Sequence, residues 1–89
     1  MIKTKEGLMV RAFGDKYIVV AVGKLADDLH SLITLNSSGL FLWNQLEKGT
    51  DYDTLLKSML DEYDIDADTA KNDLDIFLDK ARKADLLDE

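Results

Sequence analysis

The sequence predicts an α+β fold in which a three-stranded antiparallel β-meander is followed by three α-helices. Two observations carry this. Apolar and polar residues alternate with a period of two as far as Leu35, and from Asn36 onward apolar residues recur with the helical period of 3.6. A third concerns organisation: with 89 residues, no proline and no repeat or low-complexity stretch, nothing divides the chain, and residues 1–89 are expected to form one domain with one modest core.

Residues 8 to 22, LMVRAFGDKYIVVAV, are two apolar, β-branched runs separated by Gly14-Asp15, the Gly-X chemistry of a tight hairpin turn. A third strand is expected from Leu29 to Leu35, after the polar loop GKLADD. Its alternation sets Ser31, Ile33 and Leu35 on one face and His30, Leu32 and Thr34 on the other.

Asn36 can cap the first helix by accepting a hydrogen bond from a free first-turn amide, with Leu40, Trp43 and Leu46 near one stripe and Lys48-Gly49 as the end. Thr50 to Asp53 fits a capping box with aspartate in place of glutamate. It precedes Tyr52, Leu55, Leu56, Met59, Leu60 and Tyr63 at helical spacing. Asp66 caps the third helix, whose Ala67, Ala70, Leu74, Phe77, Leu78 and Ala81 share one side. Ile76 falls nearly opposite, beside Thr69, Asp73 and Lys80, where a purely structural helix would carry a polar residue.

Composition excludes several classes. Without cysteine there is no disulfide framework, thiolate metal site or cysteine nucleophile, and His30 alone cannot build a multi-histidine metal site. The run Asp61-Glu62, Asp64, Asp66, Asp68 lacks the glycine and the spacing of an EF-hand and reads as a solvated loop and cap. The five glycines are too dispersed for a phosphate loop, and His30 has no nucleophile or orienting partner in sequence. No enzyme, metal or cofactor is expected. The amino terminus is too polar for a signal peptide and no apolar run approaches the roughly 20 residues that cross a bilayer, so a cytoplasmic location is expected.

The chain has 11 basic and 18 acidic side chains, a net charge of −7, with +1 up to Asn36 and −8 after it. Two helices after a sheet also fit a winged-helix DNA-binding regulator, whose recognition helix would be residues 66–83. Its first three turns, however, offer Asp66, Asp68, Asp73 and Asp75 against Lys71 and Asn72, and would repel a phosphate backbone. Lys80, Arg82 and Lys83 come only at the carboxyl end, where they oppose the helix dipole.

The stretch LNSSGLFLW, residues 35–43, carries the most specific signal. A strand ending in Leu35-Asn36, then Gly39, then Leu42-Trp43, resembles the PqqD-like family of stand-alone proteins and domains that bind precursor peptides of ribosomally made, post-translationally modified products. The resemblance extends to the meander, the Thr50 cap, the Asp64-Ile65-Asp66 link and the terminal Ala84-Asp85-Leu86-Leu87. One departure is Asp85, where such chains commonly have glycine; aspartate tolerates a left-handed helix stop better than most residues. From the residues alone, the cluster reads mainly as structure. Asn36 joins strand to helix, Gly39 admits a close backbone approach, and Trp43 fills the space between helices and sheet.

What the resemblance implies is a winged-helix-like, non-catalytic peptide chaperone in natural-product biosynthesis, PQQ biosynthesis included. It would bind the leader of a precursor peptide and present it to a maturation enzyme, often a radical S-adenosylmethionine enzyme. The physics agrees, since a meander has free edges that an extended peptide can complete by main-chain hydrogen bonds. By resemblance the accepting edge is His30, Ser31, Leu32, Ile33, Thr34 and Leu35, and the opposite wall is Thr69, Asp73, Ile76 and Lys80. Ile76 would then be an apolar wall, and Lys80 and Asp73 would pair with acidic and basic leader residues. The same edge, unliganded, can pair two copies into a homodimer.

Overall fold

The computed structural model describes residues 1–21 and 33–89. Its elements in chain order are β1 (Lys3–Thr4), β2 (Leu8–Phe13), β3 (Lys16–Ala21), β4 (Thr34–Leu35), α1 (Ser37–Lys48), α2 (Tyr52–Glu62), α3 (Ala67–Lys83) and β5 (Leu87–Asp88). The expected order of strands and helices is met. The part of the third strand expected at residues 29–32 lies outside the described residues.

β2 and β3 pair from Leu8↔Ala21 to Phe13↔Lys16, which leaves Gly14 and Asp15 as the two-residue turn. Gly14 has φ +64, and a Cβ there would meet no atom within 4 Å. The turn therefore needs glycine for its backbone angle and not for space. β4 adds to the far side of β3 with Tyr17↔Leu35 and Ile18↔Thr34, so among the described residues the sheet order is β2-β3-β4 and β4 is an edge.

A second, two-stranded sheet was not legible in the sequence. β1 pairs antiparallel with β5 through Lys3↔Asp88 and Thr4↔Leu87, and Ile2 exchanges backbone hydrogen bonds of 2.6 and 2.9 Å with Thr50. These short pairings fasten the amino-terminal segment to the start of α2 and to the segment after α3. They also shift a cap. Thr50 uses its backbone on Ile2, and Asp51, not Thr50, starts α2, its Oδ1 accepting from the Thr54 N–H at 2.8 Å.

The other two caps are as expected: Asn36 Oδ1 accepts from the Gly39 N–H and Asp66 Oδ1 from the Thr69 N–H. On α1 the buried face is Gly39, Leu42, Trp43 and Leu46, with Leu40 only half-buried, so the stripe is rotated from the expected one. α3 buries Ala70, Leu74, Leu78 and Ala81 as expected, leaves Ala67 exposed in its first turn, and packs half-buried Phe77.

The core has two adjoining parts. Leu42, Leu46, Leu55, Met59, Leu74 and Leu78 join the three helices, and Ile2 and Leu87 close one end. Val19, Ile33, Leu35, Trp43 and Leu86 fill the space between β3, β4 and α1, and Phe77 packs against both parts. Trp43 is 1% exposed, so it is the structural centre that its position predicts. Its buried indole N–H finds no hydrogen-bond partner among the described residues.

Candidate functional site

The site begins at the backbone of β4. The Val19 N–H donates to the Ile33 carbonyl at 3.1 Å, and Leu35 lies opposite Tyr17 in the same register. In an antiparallel ladder, alternate residues turn their N–H and C=O toward the partner strand. Ile33 and Leu35 therefore face β3, and the polar backbone groups of Thr34 point away from it, toward the free edge. The side chains alternate correspondingly: Ile33 is 5% and Leu35 3% exposed, while Thr34 is exposed.

The chain turns sharply after that edge. Asn36 caps α1, and Gly39 lets the first turn of α1 fold back on β4. A Cβ on Gly39 would stand 3.3 Å from Leu35 Cβ and Cδ2 and from Asn36 Oδ1. The close neighbours of Gly39 are thus the Leu35 side chain and the cap itself, rather than a passing backbone as the sequence suggested. The LNSSGLFLW cluster packs a strand end onto a helix start and buries Trp43 beneath it.

α3 supplies the opposite wall. Asp73, Ile76, Phe77 and Lys80 share with Thr34 and Leu35 a groove of about 290 Å³ that Asn36, Ser38, Gly39, Leu42 and Met59 also line. Ile76 is 60% exposed, an apolar side chain of α3 that the core does not use. Lys80 Nζ donates to the Thr34 carbonyl at 3.3 Å, bridging wall and edge.

Of the residues expected here, Thr34, Leu35, Asp73, Ile76 and Lys80 line one groove. Ile33 sends its side chain into the core beside Val19 and Trp43. Thr69 is absent from the groove lining and sits in the first turn of α3, where its N–H satisfies the cap. His30, Ser31 and Leu32 lie outside the described residues. Sequence reasoning missed Asn36, Ser38, Gly39, Leu42, Met59 and Phe77 as lining residues. For the first three a signal was present, because a segment that immediately follows an edge strand must border its end; Leu42, Met59 and Phe77 differ in no sequence feature from purely buried residues.

β2 is the other edge of the sheet, and a second concavity of about 450 Å³ lies between β2 and the outer side of α1, lined by Leu8, Met9, Tyr17, Leu40, Asn44 and Glu47 among others. Its most exposed large apolar side chain is Met9, 44% exposed against 60% for Ile76.

The fold is similar to two solved structures. One is described as "TbiB1 in Complex with the TbiA(beta) Leader Peptide", with a TM-score of 0.74, 21% identity, and coverage of 97% of this chain and 94% of that one. The other, "Lasso peptide synthetase B1 complexed with the leader peptide", gives a TM-score of 0.73, 11% identity and coverage of 99% and 98%. No curated protein sequence matches the chain. The sequence profile of the family described as "Coenzyme PQQ synthesis protein D (PqqD)" matches residues 16–87, which span β3, β4, the three helices and the start of β5. The chain belongs to the PqqD family.

Proposed function

We propose that this protein is a non-catalytic peptide chaperone, acting as one unit over residues 1–89, that binds the leader of a ribosomally synthesised precursor peptide by β-strand addition. The observation that carries the reading is the geometry of Thr34: its backbone N–H and C=O point off the free edge of β4 into a groove whose far wall bears the exposed Ile76. An added strand would satisfy those groups, and its alternate side chains would meet Ile76 and Phe77. Membership of the PqqD family and the leader-peptide complexes formed by two structural neighbours support the same reading.

The proposed site is Thr34 and Leu35 on the edge, with His30, Ser31 and Leu32 as its upstream extension, and Asp73, Ile76 and Lys80 on the wall; Ile33, turned toward β3 and the core, supports the edge from behind. Delivery is the mechanism. A leader of roughly a dozen residues, disordered beforehand, orders on the edge and gives up part of its interaction free energy in doing so. A core peptide tethered by a short flexible linker is then held near the enzyme's active site at an effective concentration of about millimolar. The enzyme, a radical S-adenosylmethionine enzyme or similar, performs the chemistry. No helix among the described residues is long and apolar enough to cross a membrane; action in the cytoplasm is part of the proposed reading.

The winged-helix DNA-binding reading is not supported. Beyond the acidic start of α3, two of the three cations at its end are already paired, Arg82 with Glu89 and Lys83 with Asp79. The decisive experiment for peptide binding is capture of small peptides from the native host on the tagged protein, identified by mass spectrometry. Repeated recovery of one short precursor is the expected result; recovery of nucleic acid, or of no reproducible peptide, would count against the reading.

A further inference from the structure

We propose that Lys80 determines specificity in the groove: it holds the outward acceptor of the β4 edge, and once a peptide is added there it pairs with an acidic side chain of that peptide. The proposal rests on the strand-addition reading above.

The Lys80 ammonium lies on Thr34 O, the outward carbonyl of β4. This is the acceptor that a peptide N–H must take for strand addition. At 3.3 Å the contact is long for an N–H···O hydrogen bond, and an amide donor at about 2.9 Å replaces it readily. The displaced ammonium then stands beside the peptide backbone with its charge to satisfy. Its neighbours on α3 differ in this respect. Arg82 grips Glu89 at 2.7 Å and Lys83 pairs with Asp79 at 2.9 Å, whereas among the described residues no carboxylate lies within ion-pair distance of Lys80.

The wall also has a pattern. Lys80, Ile76 and Asp73 line the groove in that order along α3, cation, apolar, anion. Lys80 and Ile76 are separated by about 6 Å of helix axis at 1.5 Å per residue. Side chains on one face of an added strand recur about every 6.6 Å. The complementary peptide therefore carries Asp or Glu opposite Lys80 and an aliphatic residue two positions away opposite Ile76. The net charge of −7 works against acidic peptides in general, so the preference is confined to that one position.

A random twelve-residue peptide library displayed on phage, selected in parallel on the unaltered protein, Lys80→Glu, Lys80→Met and Ile76→Asp, tests this. The expected consensus on the unaltered protein is an acidic residue two positions from an aliphatic one. Lys80→Glu should invert the acidic position to Lys or Arg, and Lys80→Met should erase the preference there while keeping the aliphatic one. For a selected peptide, exchanging Glu for Gln should weaken binding to the unaltered protein by roughly two- to five-fold, the range of exposed ion pairs, and leave Lys80→Met unaffected. If all Lys80 variants select the same consensus and Ile76→Asp abolishes it, the role of Lys80 is overturned and the groove stands. If no peptide is enriched, or Ile76→Asp changes nothing, the groove itself is misplaced and the proposal falls with it.

Discussion

Asp85 adopts a left-handed backbone, φ 59, and its carboxylate accepts a hydrogen bond from Lys5 Nζ at 2.7 Å. The same residue ends α3: its N–H donates to Arg82 O at 2.9 Å and the Leu86 N–H to Ala81 O at 3.0 Å, the paired bonds of a Schellman stop. Leu86 is thereby turned into the core, fully buried. The departure from glycine seen in the sequence leaves the geometry intact.

Asp85→Gly should accordingly fold normally and change stability by less than about 1 kcal/mol. It relieves the left-handed strain but loses an exposed ion pair of little worth and gains unfolded-chain entropy. Asp85→Val, β-branched at positive φ, should cost about 1 to 3 kcal/mol. Chemical denaturation of the two variants checks the order; a valine variant as stable as the glycine one would contradict the stop.

Trp43→Ala should unfold or severely destabilise the protein. Large-to-alanine core changes cost roughly 3 to 5 kcal/mol of a total that is typically about 5 to 15. Thermal melts decide it. A variant that melts like the parent but loses peptide binding would make Trp43 a ligand contact.

The caps predict a pH dependence. Asp51 and Asp66 are held below the ordinary carboxyl value of 3.8, first by the backbone N–H of Thr54 and Thr69 respectively and then by the threonine side chains. A group whose folded pKa is depressed contributes stability above its unfolded pKa and loses it as pH falls through the folded one. Melting temperature should thus drop on acidification below about pH 4, and the double variant Asp51→Asn, Asp66→Asn, which keeps an acceptor without a charge, should show a shallower drop. Equal slopes for both proteins would remove the caps as its cause.

Affinity for duplex DNA should be negligible at physiological salt, given the acidic start of α3 and the net charge of −7. Fluorescence anisotropy measures it. Micromolar binding that weakens steeply with added salt would restore the recognition-helix reading.

How much was legible in the sequence follows from how local each cause is. The Gly14-Asp15 turn and the caps at Asn36 and Asp66 rest on contacts within a few residues, and each appeared at its predicted place. The β1–β5 pairing did not, because two-residue strands carry no periodicity and the partners lie at opposite ends of the chain. The cap at Asp51 was misjudged by one residue for the same reason: what withdraws Thr50 is Ile2, 48 positions away. At the site, exposed Ile76 was legible as an exception to the helical stripe. The Lys80–Thr34 contact was not, since it depends on where α3 crosses β4.

The measurement that tests the groove most directly is an NMR titration of the labelled protein with the captured leader peptide, run alongside Ile76→Asp. The account predicts that backbone amides of Thr34 and Leu35 and of α3 around Asp73, Ile76 and Lys80 shift, while Gly14 and Asp15 at the hairpin tip stay unmoved. It predicts that Ile76→Asp melts at nearly the parent temperature, because the side chain is already 60% exposed, yet binds the peptide clearly more weakly, having exchanged an apolar wall for a charge. Shifts gathered along Leu8 to Phe13 of β2, or an Ile76→Asp protein that unfolds without a specific loss of binding, would contradict it.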